Sequence, residues 1–347
     1  MGTRTSRVAG ALAVALLAPL FATPATPARA ADVDNYWKVD VWGHPVEPYA
    51  QIPEELDAGS PGSWVQLAGK LPVQCEAKGI LIDTGGSGET GDQLAYELAD
   101  HNYENPTKAA AANPETRRAT KDDKVTFPNG PEAKAECASP TSGAGTATWG
   151  RYLSKDFSFE SASSDSTETK SSDEGSIVTE TTNKIQGIKM GPLSIGTVFS
   201  WLKVEFRESA EPVISYKIDI SGITDGQSQT GAGYPGVARA GQGLLGRDLT
   251  SQFNSQVKSG QSGFKPLGKY GLRILEPRIG YSRSQRYVVE ISALDGLFGL
   301  AARQNQIGDG FGMRLGVSRA AGRYELNGKP APHNGYEYLD DPTFGFY

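Results

Sequence analysis

The sequence predicts a mainly β protein, a β-rich α+β fold with one large antiparallel sheet assembly and a single main amphipathic helix. Three observations carry this. In residues 213–221, Ile214, Tyr216, Ile218 and Ile220 alternate with Ser215, Lys217, Asp219 and Ser221, the period-two signature of a strand with one buried and one wet face. In the run before it, Val198, Leu202, Val204 and Phe206 alternate with Trp201, Lys203, Glu205 and Arg207, so the two make a long hairpin joined by residues 208–212. Within 243–258, Leu245, Leu249, Phe253 and Val257 recur every four residues and line one face of a helix.

In chain order, the first thirty residues read as a secretory leader. Arg4 and Arg7 precede an apolar run over 8–22, too short for a comfortable membrane span. Ala28-Arg29-Ala30, followed by Ala31, offers the small residues a signal peptidase reads. Residues 31–62 form a lead-in with Pro45, Pro48, Pro53 and Pro61 among Tyr36, Trp37, Trp42 and Tyr49; proline at that density excludes a long helix. A β-rich domain spans 63–327. It opens with a strand pair at 63–68 and 73–82, then makes a loop excursion over 85–145, rich in Gly, Asn, Pro, Lys and Ala, with a short helix at 92–99. Strands follow at 175–182, 187–190, 195–206 and 213–221. The helix ends at Gly260, Ser262 and Gly263, and strands return at 270–275, 287–291, 311–317 and 323–326. Residues 328–347 are a tail.

The formal charge is −6, and loss of Arg4, Arg7 and Arg29 with the leader takes it to −9. Such a chain repels phosphate backbones, so nucleic acid is excluded as a partner, as are anionic membrane surfaces unless charge is segregated. No later run is long and apolar enough to cross a bilayer as a helix. The expected location is extracellular or envelope-associated. The only cysteines are Cys75 and Cys137. In an oxidising compartment an even count points to a disulfide, contributing roughly 4 kcal/mol by loop-closure entropy.

The catalytic motifs are thin. Ile80-Leu81-Ile82-Asp83-Thr84-Gly85 runs an apolar strand into Asp-Thr-Gly, as at the catalytic turn of an aspartic protease, where two carboxyls share a proton and activate water. Gly86 stands where that pattern has Ser or Thr, and a second Asp-Thr/Ser-Gly is absent, so Asp83 would need a partner Asp from a second copy. Gly91-Asp92-Gln93 has an acid in place of the phosphate-loop lysine. His44, His101 and His333 are too scattered for a zinc site or a Ser-His-Asp triad, so no metal and no cofactor is expected. The Ser/Thr/acid tract at 161–176 lacks the Asp spacing of a calcium loop and reads as an exposed strand and loop kept soluble by charge.

The binding candidates are aromatic: Trp37, Trp42 and Trp64 in or beside the lead-in, and Trp201 on the polar side of its strand. Exposed indole faces stack on sugars or apolar ligands; otherwise the first three pack the lead-in onto the sheet. Trp201 is a candidate to line a cleft under the helix.

The order of elements, with Ile188-Lys189-Met190-Gly191-Pro192-Leu193-Ser194-Ile195-Gly196 before the long hairpin and Leu272-Arg273-Ile274-Leu275-Glu276-Pro277 after the helix, resembles secreted actinobacterial β-rich proteins of uncharacterised function over roughly residues 146–326. The resemblance implies an extracellular β-rich fold and no particular activity. The reading is therefore a secreted, non-catalytic binding protein whose partner is an envelope component or a small apolar ligand, with lipid and glycan both open. The alternative is a secreted hydrolase of aspartic-protease type using Asp83.

Overall fold

The computed structural model describes residues 36–50, 62–69, 73–82, 96–102, 124–126, 131–153, 157–171, 175–208, 210–226, 234–239, 244–282, 286–298, 311–325 and 336–339. The chain opens with β1 (Tyr36–Ala50), β2 (Gly62–Gly69), β3 (Val73–Ile82) and β4 (Tyr96–Asn102). It continues through β5 (Lys124–Thr126), β6 (Glu132–Ser139), β7 (Ser142–Trp149), β8 (Tyr152–Leu153), β9 (Ser158–Phe159) and β10 (Ser161–Lys170). The long strands β11 (Ser176–Met190), β12 (Leu193–Arg207) and β13 (Val213–Ile223) lead to β14 (Tyr234–Arg239), β15 (Leu244–Leu245) and the helix α1 (Gly246–Lys269). Six strands follow: β16 (Leu272–Arg273), β17 (Arg278–Tyr281), β18 (Tyr287–Ile291), β19 (Leu294–Phe298), β20 (Phe311–Glu325) and β21 (Glu337–Tyr338).

These strands make two large sheets facing one another. The first runs β21-β17-β18-β20-β1-β2-β3-β4, and the second β14-β13-β12-β11-β10-β7-β6-β5. Neighbours are antiparallel except for the short β17–β21 pair. The fold is thus mainly β, as the alternation predicts. Apolar residues of both inner faces meet in one core, Val39, Val41, Leu67 and Leu315 from the first sheet with Ile177, Ile185, Leu202 and Val204 from the second. The predicted disulfide is present, and it joins the sheets, Cys75 on β3 to Cys137 on β6.

The sheets approach unusually closely at one end. A Cβ added to Gly79 would lie 2.2 Å from the Thr146 carbonyl oxygen, and one on Gly145 would lie 2.3 Å from that of Lys78. Backbone therefore touches backbone there, where stacked sheets ordinarily stand about 10 Å apart. Only glycine and other small residues can fill so narrow a gap. Beside it the interior is hydroxylic. Ser63 Oγ lies 2.6 Å from Ser164 Oγ and 2.8 Å from Ser166 Oγ, and Ser166 donates to Thr181 Oγ1 at 3.0 Å. Asn183 donates across the sheets to the Val317 carbonyl at 2.7 Å and to Ser318 Oγ at 2.8 Å.

The structure departs from the sequence reading at five places. Residues 36–50, read as a lead-in, form a strand in the middle of the first sheet, between β20 and β2. The excursion at 85–145 contributes β4, β5, β6 and the start of β7. Tyr96 onward is strand, not the end of a helix, because pairing with β3 satisfies its backbone. In the 161–176 tract, Ser164, Ser166 and Glu168 point inward and are fully buried, so only the alternate residues face solvent. The helix passes its expected stop at 260–263 and reaches Lys269, carrying Pro266 within it. Burial of Phe264 and Leu267 on the same stripe as Leu249 and Phe253 outweighs the glycines.

One irregularity sets the site geometry. Gly316 takes φ 67°, a left-handed conformation that favours glycine. The side-chain phase of β20 shifts there: Leu315 joins the core and Ser318, three residues on, meets Asn183. Arg314 and Arg319 consequently share the outer face of the first sheet.

Candidate functional site

That outer face carries a layer of aromatic and charged side chains. Trp42 and Trp64 stand opposite one another on β1 and β2. The Arg319 guanidinium sits 5.1 Å from the Trp42 ring centre, and the Lys78 ammonium 5.3 Å from that of Trp64, both cation–π distances. The His44 ring meets Trp42 edge-on at 5.5 Å. Arg319 grips Glu47 with two nitrogens, at 2.9 and 3.2 Å, and Glu290 with Nε at 2.5 Å. Arg314 adds a contact to Glu47 at 3.4 Å. Burial pushes the Glu290 carboxyl up, but Arg319 and Arg314 more than offset this, and it titrates below the usual range. On the same face Arg286 pairs with Asp40, which also accepts from Gln66.

These charges neutralise one another and tie β1, β18 and β20 together. Trp42 and Trp64 are only 6% and 3% exposed, too covered to offer a ring face to a ligand. Trp37 lies on the inner side, its ring pressed over Gly69 with the Lys170 ammonium 5.9 Å from its centre. Three of the four tryptophan candidates are therefore packing residues in this structure. Asp83 lies outside the described residues.

Trp201 is different. It is half-buried on the outer face of the second sheet, where its indole N–H donates to Glu180 Oε1 at 2.6 Å. That bond fixes the ring on the sheet surface. Around it the register sets Thr182 directly opposite on β11 and Lys217 opposite on β13. Phe199, two residues back, is capped by the Lys217 ammonium at 5.2 Å, and Lys217 is itself paired with Asp219. Glu205 is held by Arg207 at 2.8 Å. The neighbouring outward positions are Ser163, Asp165 and Thr167 on β10 and Lys184 and Gln186 on β11. The face is thus hydroxyl-rich and charged, with the rings of Trp201 and Phe199 side by side on β12.

A cleft under the helix does not involve this residue. Tyr216 is on the inner face of β13, and Phe253 of α1 packs on it with ring centres 6.4 Å apart. Trp201 and α1 hence lie on opposite sides of the second sheet. Leu249, Phe253, Phe264 and Leu267 all enter the common core, so the helix fills its interface. At the other end of the hairpin, a cavity bordered by Phe206, Tyr281, Tyr287 and Tyr324 measures about 10 Å³, room for roughly one water.

Glu168 is the remaining unusual group. It is fully buried between the sheets, and neither carboxyl oxygen finds a hydrogen-bond partner. Burial pushes it well above the usual carboxylate range, and the nearby Leu67 main chain offsets only part of that. Among the described residues, no titratable side chain accompanies it on the inner faces of β2, β7 or β11 to form a proton-sharing pair. Among the described residues, no group of three or more His, Cys, Asp and Glu side chains gathers to hold a metal ion. No helix there is long and apolar enough to cross a membrane.

Sequence reasoning identified Trp201 but not its surroundings. Glu180, Thr182 and Lys184 are legible as a set only through the alternation of β11, whose inward residues include Thr179, Thr181 and Asn183 and so mask the pattern. Comparison with known proteins finds no matching family model, no matching curated protein and no matching solved structure.

Proposed function

We propose that this is an extracellular, non-catalytic glycan-binding protein, with the outer face of its second sheet as the docking surface and Trp201 as the ring on which a sugar stacks. The observation that carries the reading is the Trp201–Glu180 bond. It holds a half-exposed indole, with Phe199 two residues away, on a sheet face rich in hydroxyls and charged groups. An amphipathic ring fixed in advance loses little conformational freedom on binding, and the surrounding Ser and Thr hydroxyls both donate and accept. A mostly polar sheet face suits a polyhydroxylated ligand better than a lipid, which needs an enclosed apolar cavity. The leader-like first thirty residues and the cystine between the sheets agree with an oxidising, extracellular setting.

The test is affinity electrophoresis of the purified protein through gels cast with soluble polysaccharides. At least one polymer should retard the native protein, and Trp201→Ala should abolish most of that retardation while keeping the native unfolding midpoint within a few degrees. Retardation that survives Trp201→Ala would reject this face as the site.

A further inference from the structure

We infer that the glycan is an uncharged polysaccharide lying across the strands, from the Trp201 ring over Thr182 to Asp165, whose carboxylate accepts hydrogen bonds from hydroxyls of a neighbouring sugar. The inference rests on the glycan reading and adds the ligand's charge class, its direction and a second contact. Around Trp201 the outward positions hold Lys184, Lys203, Lys217 and Arg207 against Asp165, Glu180, Glu205 and Asp219, four of each sign. Glu180 keeps its charge when it accepts the indole N–H. The face therefore carries no excess of either sign to draw in a polyanion or a polycation, and it suits a polymer without charge.

Direction follows from which groups on the face are already used. Along β12 the next ring is Phe199, which the Lys217 ammonium caps, and on the other side of Trp201 stands the charged Lys203. Toward β13 the opposite residue is Lys217 itself, paired with Asp219. Toward β11 the partners are small and uncommitted. The bond to Glu180 draws the indole to that side. Thr182 stands directly opposite Trp201, Asp165 opposite Thr182, and Thr146 of β7 opposite Asp165. Asp165 is exposed and makes no ion pair or hydrogen bond among the described residues, and partial desolvation raises its pKa above the usual 3.8. An ionised carboxylate is acceptor-only and takes two donors at once, which a vicinal pair of sugar hydroxyls supplies. Asp165 lies two strand spacings from Trp201, about 10 Å. One sugar on the indole cannot reach that far, so the site selects an oligomer over a monosaccharide. A uronate on the second sugar would meet the Asp165 carboxylate and be repelled.

The experiment compares retardation by a neutral panel (hydroxyethylcellulose, arabinoxylan, galactomannan and pullulan) with that by polygalacturonate and glycol chitosan, each at low and at moderate salt. At least one neutral polymer should retard the protein more than either charged one, with retention unchanged by salt. Its monosaccharide should compete poorly and its trisaccharide well. Asp165→Ala should weaken retention about tenfold, the range for a hydrogen bond to a charged group, and Thr182→Val about two- to fivefold. Asp165→Asn, which keeps the shape and one acceptor, should fall between Asp165→Ala and the native protein. Ser221→Ala, on β13 and off the path, should leave retention unchanged. Near-UV circular dichroism of all four variants should match the native protein. Trp201-dependent retardation by a neutral polymer that ignores Asp165→Ala and Thr182→Val overturns the path and leaves the glycan reading standing. Stronger, salt-sensitive retardation by polygalacturonate or glycol chitosan overturns the uncharged assignment. No retardation by any polymer overturns both the inference and the glycan reading.

Discussion

Asn183 on the second sheet donates its amide to the main-chain carbonyl of Val317 on the first, at 2.7 Å. The two residues are 134 positions apart, so this bond links segments that meet only when the sandwich closes. The same amide reaches Ser318 Oγ, which stands 3.2 Å from Ser200 Oγ. Replacing Asn183 with Leu strands several buried polar groups at once. The expected loss is about 1–3 kcal/mol for each group left unsatisfied, read as a lower urea midpoint at unchanged slope. Ser200→Ala, which removes one hydroxyl while Ser318 keeps Asn183, should cost less.

The narrow end of the sandwich makes a second prediction. Gly145→Ala would set a methyl 2.3 Å from the Lys78 carbonyl oxygen, and neither backbone can move without parting the sheets. Destabilisation at the upper end of about 1–3 kcal/mol is expected. Gly268 is the control. It is helical, with nothing within 4 Å of its added Cβ, so Gly268→Ala should be neutral or stabilise by up to about 1 kcal/mol. Equal thermal shifts for the two variants would contradict the backbone contact.

Glu168 gives a pH dependence whose sign is fixed. Its folded pKa is raised from 4.5 by burial, so between that value and the folded pKa the native state holds a proton the unfolded chain has released. Stability falls as pH rises through this window. Glu168→Gln removes the dependence, so the variant should gain on the native protein as pH rises from 4.5 toward the raised folded pKa of Glu168. A constant difference across that range would show that Glu168 titrates normally.

Arg319 is the joint of the outer charged layer, shared by Glu47, Glu290 and the Trp42 ring. Arg319→Ala leaves two mostly covered carboxylates short of their main partner and should cost about 3–5 kcal/mol at neutral pH. Lysine cannot reproduce a two-nitrogen grip together with a third contact, so Arg319→Lys should recover only part of the loss. Because Glu290 titrates below its ordinary 4.5, its contribution is present above that value and is lost as pH falls through its folded pKa. The deficit of Arg319→Ala should therefore shrink in acid, measurable as converging unfolding midpoints.

How far the sequence exposes this architecture depends on which face of each strand is apolar. β12 and β13 were legible because Leu202, Val204, Ile214 and Ile218 point inward while charged residues point outward. β10 was not, because Ser164, Ser166 and Glu168 are its inward residues, and a polar interior erases the contrast on which periodicity depends. β1 was hidden differently. His44 and Glu47 are buried on its outer face, beneath a layer that periodicity takes for solvent. The helix was legible from its periodicity over residues 246–258, but its extension past Gly263 is decided by tertiary burial of Phe264 and Leu267. At the candidate site, Trp201 stood out by residue type. Its neighbours are ordinary Thr, Glu and Lys whose meeting is a matter of strand register, which no local pattern records.

The pairing of β1 with β20, Tyr36 opposite Glu325 and Ala50 opposite Phe311, has a consequence for assembly. A chain delivered amino end first produces a central strand of its first sheet at once, then must wait for nearly all the remaining residues before one long edge of that strand is covered. Until then β1 offers open main-chain donors and acceptors to any passing strand. Such a topology folds late and from the whole chain rather than progressively. Truncations ahead of residue 311 should consequently yield no half-built sandwich, only material that aggregates or is degraded.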